Sequence, residues 1–292
     1  MSCKAFAPFI GGSHDLNPLI LLNKKMLLPC LFTAVRDTQF AFAADPQWHL
    51  GGKPGLLTVL HTWSQTLVDH FHIHCLIPAG VLSLDGRRWI ASKDTFLFHV
   101  KPLAKEFKKR YLTMVESRIA SLILPENSAT CIREAWAKDW IVYAKKPFAG
   151  PEQVLAYLGR YTHRIAISNH RIKAIGNNQV IFTYKDRSDN NKTRIMTLEA
   201  MEFIRRFLLH VLPHRFMKIR YYGFLANICK GKAVLLIRRL IGKFMGDHIL
   251  CRRNNPGKDV SPDRQRYSAL SPLYAGNNGA WCNAAASEQQ LT

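Results

Sequence analysis

Hydrophobic residues return along the chain with two different periods. Between residues 16 and 45, Leu16, Leu19, Leu22, Met26, Leu27, Cys30, Leu31 and Ala34 recur near a 3.6-residue spacing. That spacing predicts a helix with one buried stripe, entered through "HDLNP". "GGKPG" (51–55) ends the pattern, and the period then shortens. "LLTVLHTWSQ" (56–65) and "HFHIHCLIPAGVL" (70–82) read as strands, and the short "TLVD" between them predicts a hairpin or tight crossover. "SLDGRRWI" adds a turn at Asp85–Gly86 and a third, short strand. Helical spacing resumes at about 99–120 through Leu103, Phe107, Tyr111 and Met114. "DWIVYAKKPF" (139–148) reads as a strand. "GPEQVLAYLGRYTHR" (150–164) reads as a helix, with Pro151 suited to its first turn and Glu152 near its positive end. "IAISNHRI" and "QVIFTYKDRSDNNKTRIMTL" predict further strands, with turns at Ser168–His170 and Ser188–Asn191, and "EAMEFIRRFLLHVL" (199–212) predicts an amphipathic helix. "LLIRRLIGKF" (235–244) predicts a basic amphipathic helix, and the polar, Gly/Asn/Pro-rich stretch after about 250 predicts a disordered or weakly packed tail. Strands interleaved with helices in this order give an α+β fold: a central antiparallel sheet flanked by helices, not a doubly wound parallel one.

Composition narrows the partners. With 292 residues and 48% hydrophobic content the chain can bury a real core. Lys and Arg outnumber acids 41 to 20, a net charge of +21, which favours a polyanion: nucleic acid before an anionic membrane surface. Lys24 and Lys25 interrupt the longest apolar stretch too early for a membrane span, and no export signal is visible at the start. The seven cysteines are scattered without a C-x-x-C pair, which argues against a disulfide scaffold or zinc ribbon and for a reducing cytoplasm. Neither G-x-G-x-x-G nor a Walker loop occurs, so a nucleotide cofactor has no support.

The candidate chemistry begins in "HFHIHC". In an extended segment His70, His72 and His74 share one face, while Phe71, Ile73 and Cys75 share the other. One face suits a core; the other is a row of imidazoles. His72 and His74 at i and i+2 can hold a divalent cation such as Mg²⁺ or Mn²⁺, which also needs oxygen ligands. Gln65 on the preceding strand is the candidate third ligand, and Asp69, in the turn, a weaker one. The competing reading is a buried, hydrogen-bonded histidine pair. "YLGRY" places Tyr157 and Tyr161 four apart, on one face of a helix. Alone, that spacing suits a core. Beside an H-x-H strand in a basic chain it suits a phenolate that attacks a phosphodiester, keeps the 5′ phosphate and releases the 3′ hydroxyl. Arg160, His163, Arg164, Lys145, Lys146, Arg205, Arg206, Lys218 and Arg220 are candidate phosphate contacts. Trp63, Phe182, Tyr184, Tyr221, Tyr222 and Phe224 are candidates to stack on unpaired bases, or to pack the core.

"DHFHIHCLIPAGVLSLDGRRW", "YAKKPFAGPEQVLAYLGRYTHRIAISNHRI", "FTYKDR" and "FIRRFLLHVLPHRFMKIRYYGFLAN" together resemble the two-tyrosine HUH transposases of bacterial insertion sequences of the insertion sequence 91 type. The resemblance runs from about residue 15 to 230. It implies that His72-Ile73-His74 is the metal motif, with Gln65 as a further ligand. It also implies that Tyr157 and Tyr161 are paired nucleophiles of rolling-circle transposition acting on single-stranded element ends and target. On this reading residues 1–50 are a helical segment, 51–230 the catalytic domain, and 231–292 a basic helix and tail. The family usually carries a cysteine-rich zinc-binding segment ahead of the core. Only Cys3 and Cys30 lie in the first seventy residues, so the expectation is a truncated or rearranged copy. A replication initiator or relaxase-like nuclease, and a catalytically dead DNA-binding remnant, are the alternatives.

Overall fold

The structure is a computed structural model that describes residues 5–48, 50–93, 97–144, 148, 150–162 and 166–242, with backbone alone at Phe9, Ala144, Pro151, Arg160 and Tyr161. In chain order the first part forms β1 (Ala5–Phe6), β2 (Pro8–Gly11), α1 (Asn17–Leu22), α2 (Lys24–Ala44), β3 (Gly52–Lys53), β4 (Gly55–Trp63), β5 (Asp69–Pro78), β6 (Gly80–Ser83) and β7 (Trp89–Ala91). There follow α3 (Val100–Glu116), α4 (Ser128–Ala137), β8 (Val142–Ala144), α5 (Pro151–Thr162), β9 (Ile172–Gly176), β10 (Gln179–Asp186), β11 (Lys192–Glu199), α6 (Ala200–Leu209), β12 (Ile219–Gly223) and α7 (Lys230–Leu240).

The expected α+β architecture is present. The central sheet runs β12-β4-β5-β2-β8, with antiparallel neighbours throughout, and β1 pairs with the far end of β5. Period-two alternation in β5 decides which face is dry. Phe71, Ile73, Cys75 and Ile77 are buried in one core with Leu56 and Leu60 of β4 and Ile10 of β2. Leu27, Leu31, Phe32 and Val35 of α2 and Leu103, Phe107, Tyr111 and Val115 of α3 belong to the same core. Each such side chain stabilises the fold by about 1.5–3 kcal/mol on burial. The histidines of β5 occupy the opposite face, so the core fixes their direction.

A second sheet, β11-β10-β9, is a meander. Its first hairpin turns at Asn177 and Asn178, both with positive φ (49° and 56°), the pairing of a two-residue type I′ turn. Phe182 of this sheet is buried with Leu67 and Ala166, and Trp63, Met196, Leu198, Phe203 and Phe207 pack around them. This small core ties the meander and α6 to the β4–β5 turn. A third, short sheet, β3-β6-β7, contains the expected turn at Asp85–Gly86.

Several boundaries differ from the sequence expectation. The helix expected over 16–45 breaks at Asn23, whose side chain donates to the carbonyls of Leu19 (2.9 Å) and Ile123 (2.8 Å) and accepts from the Ile123 N–H (2.8 Å). Those three bonds hold the residue out of helical geometry. The strand expected over 70–82 divides at Ala79, and Gly80 takes a φ of 158°. The turn expected at Ser168–His170 is a single 3-10 turn over 169–171, but residues 166–168 form no strand before it, and the hairpin of β9 and β10 turns further on, at Asn177–Asn178. The N-terminal segment read as helical also supplies β1 and β2, and β12 and α4 are additions. The basic helix expected at 235–244 is α7, beginning earlier. The tail beyond 242 lies outside the described residues. No described helix is long and apolar enough to cross a membrane.

Candidate metal centre and nucleophile

Register builds the histidine cluster. On β5, His72 and His74 project to the face opposite Ile73. His61 of β4 stands directly across from His72, and directly paired residues of an antiparallel ladder share a face. Three imidazoles therefore converge from two strands. His61 Nδ1 lies 3.0 Å from His72 Nε2, and His72 Nε2 lies 3.1 Å from His74 Nε2. All three ligand nitrogens fall within 4.8 Å of one another. Two donors held at right angles about 2.1 Å from an ion stand roughly 3.0 Å apart, so these separations fit adjacent corners of one coordination sphere.

The electrostatics fit as well. Burial, then the neighbouring imidazoles, Lys218 and His210, lower the pKa of His61 to about 2. His72 is held well below the usual imidazole range, by burial first and then by His61, His74 and His70. His70 drops to about 4 through burial, His14 and Arg187, against a smaller opposing pull from Asp69. Neutral imidazoles keep the lone pairs that a cation needs. His72 Nδ1 lies 2.9 Å from the His70 carbonyl, which favours the tautomer with Nδ1 protonated and Nε2 turned to the cluster. His70 stacks on His14, with ring centroids 4.8 Å apart, and the Asn17 side chain bridges His14 to the Asp69 carbonyl.

Tyr157 adjoins the cluster. It lies on α5 and is buried, and its hydroxyl is 2.9 Å from Nδ1 of His74, the ring whose Nε2 faces His72. Phe148 lies 5.3 Å from the Tyr157 ring, between centroids. Lys218, expected as a phosphate contact, places its ammonium 3.3 Å from the Thr162 carbonyl at the negative end of α5 and 5.7 Å over the Trp63 ring.

The other sequence candidates are distributed differently. Gln65 sits in the β4–β5 turn, where its amide oxygen accepts from the Lys185 N–H (3.4 Å) and its carbonyl accepts from Arg171. The third nitrogen of the cluster comes from His61, which the sequence reading does not single out. Arg205 and Arg206 both pair with Glu202. Arg220 lies 4.1 Å over the Phe32 ring. Phe182 and Phe224 are buried, Tyr222 is half-buried beneath Arg36, and Tyr221 carries Lys230 over its ring. Tyr161 belongs to α5, but its side chain and that of Arg160 lie outside the described residues, as do Lys145, Lys146, His163 and Arg164.

Comparison with known proteins gives the family. A family model described as "Putative transposase" matches residues 55–232, the span holding both strands of the histidine cluster and α5. The chain belongs to this family of transposases, of the insertion sequence 91 type. It is 43% identical over 231 residues to "Putative transposase y4qJ" of Sinorhizobium fredii (strain NBRC 101917 / NGR234), covering 75% of this chain and 58% of that protein. It is 28% identical over 229 residues to "Transposase for insertion sequence element IS801" of Pseudomonas savastanoi pv. phaseolicola, covering 74% and 52%. The chain thus spans little more than half the length of these relatives. No solved structure matches it.

Proposed function

We propose that this chain nicks and transfers single-stranded DNA, with Tyr157 as a nucleophile at a cation held by His61, His72 and His74. The observation that carries the reading is the placement of the Tyr157 hydroxyl 2.9 Å from an imidazole whose other nitrogen belongs to the histidine cluster. Among the described residues the cluster contains no carboxylate. A divalent ion bound there would keep its charge and open positions for phosphoryl oxygens, polarising the scissile phosphate. Neutral nitrogen donors suit Mn²⁺ or a softer ion better than Mg²⁺.

The residues divide the work. With Nε2 turned to the cluster, His74 carries its proton on Nδ1 and donates it to the Tyr157 oxygen, orienting the phenol and favouring its ionised form. The phenol oxygen attacks phosphorus, and a bond from Tyr157 to the 5′ phosphate forms as the bond to the 3′ oxygen breaks. The phenol proton goes to solvent, and the departing 3′ oxygen takes up a proton. Because the phosphotyrosine bond is a diester like the one it replaces, a 3′ hydroxyl of another strand can attack it and free the tyrosine. Tyr161, one helical turn along α5, is the candidate for a second such exchange, the device of rolling-circle transposition. Lys218 holds the end of the helix that carries both.

A covalent assay tests this. An oligonucleotide labelled on its 3′ side, incubated with the chain and Mn²⁺, is expected to give a denaturant-resistant adduct. EDTA, or Tyr157→Phe combined with Tyr161→Phe, should abolish it. An adduct that persists in the double variant assigns the chemistry to other residues.

A further inference from the structure

Beside the histidine cluster lies a cleft of about 1020 Å³, walled on one side by the β4–β5 turn and on the other by the β9–β11 meander. His61 and His72 are among its lining residues. Four Lys or Arg residues line it against two acids, Asp69 and Asp186. Asp186 is held by Arg194 at 3.0 Å, and Arg171 spends its donors on the Thr183 and Gln65 carbonyls. Lys173, Lys185 and Arg187 remain exposed, without an ion pair among the described residues. Among the described residues, the other basic candidates singled out by sequence are engaged: Arg205 and Arg206 by Glu202, Lys218 by a helix end, Arg220 by aromatic rings. Among the described residues, the unspent positive charge near the cluster is therefore on the meander. Trp63 and Tyr184, both half-buried, line the same cleft.

We infer that this cleft seats the single-stranded DNA flanking the reacting phosphate: Lys173, Lys185 and Arg187 hold its phosphates, and Trp63 and Tyr184 stack on its bases. The inference rests on reading the histidine cluster as a strand-transfer centre and adds the path by which the strand reaches it. Unpaired bases are the fitting occupant because aromatic rings share the cleft with the cations; a duplex keeps its base faces stacked inside. The small core of Leu67, Ala166 and Phe182 beneath fixes the meander to the turn, so the cations keep their place relative to His61 and His72.

The test measures binding without chemistry. A fluorescein-labelled oligothymidylate is titrated with the full chain in EDTA across a salt series. The Lys173→Ala, Lys185→Ala, Arg187→Ala triple variant is compared with Lys101→Ala, Lys105→Ala, Lys109→Ala, three exposed cations on α3 that remove the same charge. The cleft variant should bind at least tenfold more weakly. Its log-affinity against log-salt slope should flatten by about two, from three phosphate contacts at roughly 0.7 each. The α3 control should stay near the parent, and Tyr184→Ala should weaken binding roughly tenfold with little change in slope. Equal losses in the two triple variants, or none in the cleft variant, overturn the inference. A duplex of the same length competing as well as the single strand overturns its choice of partner. Because no adduct is needed, failure of the tyrosine chemistry would show separately, as an absent adduct with cleft-dependent binding intact.

Discussion

His72 and His74 are legible in the sequence because strand alternation is a local rule: polar imidazoles between Phe71, Ile73 and Cys75 announce a two-faced strand. His61 is not, although its strand is. Its role depends on which residue of β5 it faces, and a one-residue slip in register would turn it into the core in place of Leu60. Gln65 has the right spacing for a turn-proximal ligand, yet its amide is drawn to the Lys185 N–H of a sheet that follows more than a hundred residues later. The buried neutral imidazoles also carry a pH consequence. His70, with its pKa lowered to about 4 from an ordinary 6.5, binds fewer protons folded than unfolded, and His61 and His72 shift the same way. Their contribution is complete above the unfolded value and is lost as pH falls through the window between about 6.5 and 4 for His70. Denaturant midpoints measured in EDTA should therefore fall across this range. A midpoint unchanged from pH 7 to 4 would place these rings in water.

At the scale of elements, the helices α3 and α5 and the strands β4 and β5 follow from periodicity, whereas β2 and β12 do not. "PFIG" and "IRYYG" are too short to show alternation, and only the pairing they find on either side of the β4–β5 hairpin makes them strands. The consequence is that residues ahead of the family match take part in the sheet that carries the histidine cluster. Ile10 is fully buried directly across from Ile73, behind the histidine face. Ile10→Ala should cost about 2–5 kcal/mol of stability in urea unfolding, as deletion of a core aliphatic side chain does. A loss below about 0.5 kcal/mol would mean that β2 is not a structural part of the sheet.

For the whole molecule, the positive excess predicts a polyanionic partner but says nothing of where it binds. That depends on which cations the fold has already spent, as at Glu202 and Phe32, and which it leaves exposed around a cleft. The motif order from "DHFHIHC" to "FIRRF" is what makes the family readable; the joining of α5 to the histidine face is what the chain must fold to reveal. That junction is open to direct measurement. The chain is labelled with 3-fluorotyrosine, the Tyr157 resonance is assigned by its absence in Tyr157→Phe, and Mn²⁺ is titrated while fluorine spectra are recorded. One equivalent of the paramagnetic ion should broaden the Tyr157 signal, and His61→Ala or His72→Ala should restore its sharpness. A Tyr157 signal that stays sharp with one Mn²⁺ bound, or that broadens equally in both histidine variants, would contradict a single site shared by the three imidazoles and the phenol.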